Sequence, residues 1–311
     1  MPSDLTRASL DRLLAWSPLQ PAFRLWTRSQ LKILAYHGVE DAAQFDRQME
    51  YLKARYRPVS LEAVCGHGRL PEHAVLVTFD DGRRSVLSQG LPVLQRHQVP
   101  GVVFVVAGLI DGEAPYWWEE VDWLVARGGR CEASVEGPRL KAEMKRVPNR
   151  TRLEWLSQLR ASVPEPHLRS RQLTREDLRQ LVSAGVAVGN HSLTHPVFPL
   201  CSEERVEEEV LRAHHILTEA LGRAPIAFAY PYGAVDERVE PLLARLGYEL
   251  VFAFDHRVNP RSPVYRRLSR LRVDSTTSLT RFAITLSGLH PAIHSLRRAG
   301  TRSMVDYGVG S

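Results

Sequence analysis

Val75-Leu76-Val77-Thr78-Phe79-Asp80-Asp81-Gly82 is a short, almost wholly apolar run followed at once by two carboxylates and a glycine. The run is too short for a helix and does not alternate, which is the pattern of a strand buried on both faces of a parallel sheet. Two adjacent acids at the end of such a strand repel each other, and a divalent cation is the usual reason to tolerate them. Working outward, runs of the same kind recur at Ile33 to Tyr36, Val102 to Ala107, Val186 to Val188, Ile226 to Tyr230, Leu250 to Phe254 and, less cleanly, Leu268 to Val273. Helical patterns lie between them. In the clearest, Ser202 to Leu221, Ser202 is placed to cap and Val206, Val210, Ala213, Leu217 and Leu221 recur at three and four residues, so His214 and His215 sit on an ordinary helix. The repeated strand-then-helix units predict an α/β fold, a distorted (β/α) barrel of about seven parallel strands with helices outside.

Composition narrows the class. The 311 residues carry 41 Lys+Arg against 35 Asp+Glu, and 44% are hydrophobic, which excludes disorder, collagen and coiled coil. Cys65, Cys131 and Cys201 are odd in number and never stand as C-x-x-C, so neither a disulfide framework nor a cysteine zinc site is expected, and a reducing compartment is. The basic pairs Arg83-Arg84, Arg266-Arg267 and Arg297-Arg298 are scattered and lack interleaved aromatics, so no nucleic acid partner is expected. No run reaches the roughly 18 apolar residues of a membrane span, and the N-terminus lacks signal-peptide features. The expected location is therefore cytoplasmic, with peripheral contact at the inner membrane as its variant. The amphipathic stretch Leu5 to Trp26, with Leu10, Leu13, Leu14 and Trp16, is read first as a helix packed on the domain and second as one lying on a membrane surface. The chain divides into a helical extension (1–30), a barrel (31–275) and a helical tail (276–311). An insertion at 111–171, with Pro115-Tyr116-Trp117-Trp118 and Gly128-Gly129, has apolar content thin for an independent core and is read as a lid or flank.

The residues that end the strands are polar: His37, Asp80-Asp81-Gly82, Asn190-His191 and Pro231-Tyr232-Gly233. In a parallel barrel these ends share the rim that carries active sites. His191-Ser192-Leu193-Thr194-His195-Pro196 supplies two histidines at i and i+4, and an acid from another strand completes a set able to hold Zn²⁺ with an open position. It is not the zinc-protease helix, because no Glu follows the first His. If one Asp of the pair binds the ion, its neighbour points elsewhere and is free to act as a base. Zn²⁺ lowers the pKa of water from about 15.7 to around 7–9, which suits amide hydrolysis at neutral pH.

Val77-Thr78-Phe79-Asp80-Asp81-Gly82, His191-Ser192-Leu193-Thr194-His195-Pro196 and Tyr230-Pro231-Tyr232-Gly233, in that order, resemble the first three motifs of the polysaccharide deacetylases, carbohydrate esterase family 4 with its NodB homology domain. The resemblance spans residues 31 to about 275. It implies Asp80 as general base, Asp81, His191 and His195 as metal ligands, and the backbone N–H of Tyr232 as an oxyanion donor. It implies a metal-dependent hydrolase that removes N-acetyl, or formyl, groups from amino sugars of a bacterial-type polysaccharide or its lipid-linked precursor, so the expected partner is an N-acetylated glycan. Two departures stand out. The Arg that opens the third motif in many members and orients the catalytic Asp is replaced by Ala229-Tyr230, and Arg270, at the last expected strand, is the candidate substitute, a surface Arg being the alternative. The Leu-x-x-His motif that supplies the general acid has no copy after Tyr232 beyond Gly288-Leu289-His290, outside the strand pattern. Leu34-Ala35-Tyr36-His37 matches it, so the chain looks like a circularly permuted member with His37 as the acid, and His256 stands next in line. Trp117-Trp118 would stack on sugar rings or pack in a core. The rival readings are a small-molecule amidohydrolase on the same fold and an inactive glycan-binding module, against which the second acid argues.

Overall fold

The computed structural model describes residues 4–66, 68–135, 137–164, 168–170, 172–260 and 267–300. His67, His167 and Arg266 lie outside the described residues, as do the side chains of Leu5, Leu10, Arg297 and Arg298. Nine strands form one sheet: β1 (Lys32–Tyr36), β2 (Arg57–Pro58), β3 (Ala74–Phe79), β4 (Gly101–Val105), β5 (Val186–Asn190), β6 (Ala227–Ala229), β7 (Leu250–Phe252), β8 (Arg267–Leu268) and β9 (Leu271–Arg272). The order is β8-β7-β6-β5-β4-β3-β1-β9, with β2 beside the start of β3, and every strand pairing is parallel. This is the distorted (β/α) barrel that the apolar runs predict, with more strands than the seven expected. The run Leu268 to Val273, read as one strand, is two. Its first half pairs with β7 and its second with β1, and the chain bends between them at Ser269-Arg270. That segment therefore joins the two ends of the curled sheet, and the first strand lies beside the last, as the permuted reading requires. The buried Asn259 side chain fixes the bend, accepting from Ser269 N at 2.8 Å and donating to Ser269 O at 2.7 Å. No apolar run announces β2, whose Pro58 donates nothing to a ladder.

The longer strands are mostly apolar because alternate residues face two different cores. Ile33, Leu76, Val102, Phe104, Ala227, Ala229, Leu250, Phe252 and Leu268 meet in one cluster inside the curl. Leu34, Tyr36, Val75, Val77, Phe79, Val103 and Val105 belong to another, shared with the covering helices. Gly189 leaves room for the interior: a Cβ there would stand 2.5 Å from the ring of Phe104.

The helices, in chain order, are α1 (Asp4–Trp16), α2 (Leu19–Trp26), α3 (Ala42–Arg55), α4 (Leu61–Cys65), α5 (Leu91–His97), α6 (Trp117–Ala126), α7 (Pro138–Met144), α8 (Asn149–Ser162), α9 (Arg175–Ser183), α10 (Glu203–Leu221), α11 (Glu240–Arg245), α12 (Leu279–Leu286) and α13 (Leu289–Gly300). Ser202 caps α10 through Arg205 N, as its sequence predicts. Between β4 and α9, helices α6, α7 and α8 gather Trp117, Val121, Leu124, Leu140, Met144, Leu156, Leu159 and Val163 into a small cluster of their own at the barrel rim.

Candidate active site

Asp80 and Asp81 leave β3 in different directions. Asp80 continues the ladder, its N–H donating to Tyr36 O at 2.8 Å, whereas Asp81 turns into the left-handed region at φ 70° and Gly82 follows at 76°. A side chain at Gly82 would press on Val105, with its Cβ 3.0 Å from Cγ1. The turn is held from above by Tyr116, whose hydroxyl donates to Asp81 O at 3.0 Å. The Asp80 carboxylate meets Arg270 through two parallel bonds, 2.6 and 2.9 Å, and Arg270 is fully buried. Its Nε donates to Ala253 O, and its guanidinium lies over the rings of Phe104, Phe252 and Phe254. Burial pushes the Asp80 carboxyl up, but the Arg270 guanidinium beside it outweighs burial and holds the group below the usual carboxylate range. Arg270 sits at the bend that joins the sheet ends, which is how a residue so distant in sequence reaches Asp80.

The two histidines come from the loop after β5. His191 donates from Nδ1 to Ala229 O at 2.7 Å, which leaves the Nε2 lone pair facing inward. Ser192 and His195 take positive φ, 70° and 58°, so the loop doubles back and brings His195 Nε2 to 3.2 Å from His191 Nε2. Glu209 of α10, fully buried, pins this loop: it accepts from Leu193 N at 2.9 Å, Thr194 N at 2.8 Å and the Thr194 hydroxyl, and pairs with Arg205. Burial keeps both imidazoles neutral by lowering their pKa values.

Asp81 Oδ1 lies 3.7 Å from His191 Nε2 and 3.4 Å from His195 Nε2. Donors sharing a tetrahedral ion at roughly 2.0–2.1 Å stand roughly 3.3 Å apart, so three buried donors at these spacings fit a Zn²⁺-sized ion. Asp81 Oδ1 has no hydrogen-bond partner, as expected of an atom reserved for a cation. Among the described residues this is the one group of three or more potential ligands so arranged. It opens onto a cleft of about 470 Å³ lined also by His37, Asp80, Trp118, Lys145, Tyr232 and Arg272.

The family profile described as Polysaccharide deacetylase matches residues 67–251. The chain belongs to the polysaccharide deacetylase family. It is 26% identical over 276 residues to the poly-beta-1,6-N-acetyl-D-glucosamine N-deacetylase of Escherichia coli K12, covering 83% of this chain and 38% of that one. A protein of the same name from Escherichia coli O157:H7 is 34% identical over 118 residues, 33% of this chain and 18% of its own. The chain thus spans well under half the length of these curated relatives. Among solved structures, its fold is shared with IcaB from Ammonifex degensii (TM-score 0.58, 23% identity, 84% of this chain and 97% of that one). It is shared also with the Streptococcus pyogenes deacetylase PplD (0.58, 18%, 83% and 98%).

Within this family member, Asp80, Asp81, His191, His195 and Tyr232 fall inside the matched segment, while His37 and Arg270 lie outside it. The structure nevertheless brings His37 to the same cleft, at the end of β1, with its ring against Phe254. His256 does not line it. That residue turns away at φ 57° to pair with His290 of α13 at 2.7 Å. Tyr232 adopts φ 57°, its ring lying 4.5 Å from that of His195, and Gly233 is pressed so closely on Phe254 that a Cβ would come within 2.2 Å. The tryptophan pair divides: Trp117 is buried in the cluster of the insertion, and Trp118 lines the cleft, stacked on Tyr116. Three contributors escaped the sequence reading. Glu209 was visible as an acid three residues after Val206 and four before Ala213, on an otherwise apolar stripe. Tyr116 stood only as part of the aromatic run 115–118, with no role attached, and Lys145, whose ammonium stands 5.0 Å over the Tyr232 ring, gave no signal.

Proposed function

We propose that the chain is a metal-dependent N-deacetylase acting on N-acetylated amino sugars of a polysaccharide or its lipid-linked precursor. The observation that carries this reading is the division of two adjacent carboxylates: Asp80 is clamped by Arg270 and Asp81 faces two neutral histidines. A binding module has no need of the first arrangement. Asp81, His191 and His195 would hold Zn²⁺, which when bound would polarise the acetamide carbonyl and ease ionisation of water. Asp80, kept ionised by Arg270, takes a proton from the water that attacks the carbonyl carbon. The Tyr232 backbone N–H serves the developing oxyanion, a contribution typically worth about 3 to 4 kcal/mol. His37 gives a proton to the departing nitrogen as the C–N bond breaks, leaving acetate and a free amine. Acetate release from a panel of N-acetylated oligosaccharides, with chelator and with added Zn²⁺, tests the reading. Release that depends on metal supports it, and no release from any member under metal-replete conditions overturns it.

A further inference from the structure

The large apolar side chains that the described residues leave in solvent are concentrated in one place. Leu13 (70% exposed), Trp16 (89%), Leu19, Leu25 and Trp26 (72%) belong to α1 and α2, and Leu296 to α13, which packs beside α2; of the rest only Leu153 is so exposed. A helix on a protein surface normally turns its apolar stripe to the core, yet α2 buries none of its residues. α1 packs on α12 with Leu14 and Ala15 half-buried, and polar contacts add to this: Asp11 with Arg281 at 2.7 Å, Gln20 Nε2 to Ala283 O at 3.5 Å and, just after α2, the Thr27 hydroxyl to Ser287 O at 2.9 Å. Arg28 is paired with Glu72 at 3.3 Å, and apart from that pair the charge left outside is positive. Asp11 is turned inward and neutralised by Arg281, whereas Arg12 beside it faces solvent. Over residues 1–30 the sequence has four arginines (Arg7, Arg12, Arg24, Arg28) against two aspartates (Asp4, Asp11).

We propose that α1 and α2, with Leu296, form a docking surface for an anionic lipid bilayer, the helices lying in the interface with Trp16 and Trp26 at headgroup depth. Indole rings favour that depth, and arginines beside an apolar face add attraction to anionic lipid. No described helix is long and apolar enough to cross a membrane, so the contact is peripheral. A second copy seated symmetrically on this face would bring arginine against arginine, whereas anionic headgroups complement it. The proposal does not rest on the deacetylase reading, and its test needs no turnover.

The full chain is floated with vesicles of phosphatidylglycerol and phosphatidylethanolamine, and separately with phosphatidylcholine alone. It should rise with the anionic vesicles, and binding to phosphatidylcholine, or at high salt, should be roughly tenfold weaker. The double variant Trp16→Ser/Trp26→Ser should lose about tenfold or more in vesicle binding with an unchanged thermal midpoint, and Leu153→Ser should behave as the parent. A parent chain that stays behind, or a double variant that floats equally, overturns the proposal. So does a dimer, seen by light scattering, that the double variant dissolves while neither vesicle binds, because the face then joins two copies.

Discussion

Asp80 and Asp81 share a peptide bond and little else. Asp80 is still on extended backbone, so its side chain projects toward Arg270; Asp81, at φ 70°, is swung toward the histidines. Removing one member of a buried pair leaves an uncompensated charge, so Arg270→Met should destabilise the fold by about 3–5 kcal/mol, read from denaturant midpoints. Arg270→Lys keeps the charge but cannot make two parallel bonds, and should fall between parent and Met variant. An equally stable Met variant would show that the pair is unimportant to the fold. His37→Ala should bind metal normally and lose much of kcat on an amide, yet lose less on an activated ester whose leaving group needs no proton. Equal losses on both substrates would remove His37 from the acid's role. The sequence exposed these residues because each ends a strand. It also marks Arg270 as the substitute for the Arg that orients the catalytic Asp, and Arg270 does meet Asp80; what the sequence did not expose is how the segment 267–272, by joining the two ends of the sheet, carries it there.

At the scale of elements, the histidine loop depends on α10. Glu209 accepts three hydrogen bonds from Leu193 and Thr194, so Glu209→Gln should relax the loop and weaken metal binding by about 10- to 100-fold in a chelator competition, with the helix intact. Unchanged affinity would confine Glu209 to a packing role. The tail makes a separate prediction. Burial, with His294, Arg281 and Arg272 adding to it, pushes His256 from 6.5 down to about 4. Between those values the unfolded chain binds a proton that the folded chain refuses, so stability rises with pH across that window and falls as pH drops from about 6.5 toward 4, by roughly 3 kcal/mol at most. His256→Gln should flatten that part of the curve of unfolding free energy against pH, and an unaltered slope would contradict the assignment. Strands buried on both faces were easy to read, because a short apolar run bounded by polar residues has no solvent-facing side to accommodate. The bend at Ser269-Arg270 was not, since an apolar run does not say that its halves pair with opposite ends of the sheet.

For the whole molecule, parallel topology is what makes distant motifs converge: the long strands deliver their C-terminal ends to one rim, and residues spread from His37 to Arg272 thereby meet around one cleft. The division of Asp80 and Asp81 into base and ligand came only from the family resemblance, whereas the barrel was readable from the strand ends. The wall that α6, α7 and α8 add was not, because short amphipathic helices reveal neither their mutual packing nor the direction in which Trp118 and Lys145 point. On the proposed function, one rim holds a metal through Asp81, His191 and His195 while Asp80 serves as base. The most direct measurement is the metal content of purified Asp80→Asn and Asp81→Asn, taken alongside acetate release from the same samples. Asp80→Asn should retain metal and release acetate about 10²- to 10⁴-fold more slowly than the parent, and Asp81→Asn should lose both. Equal metal loss in the two variants, or near-parental acetate release by Asp80→Asn, would contradict it.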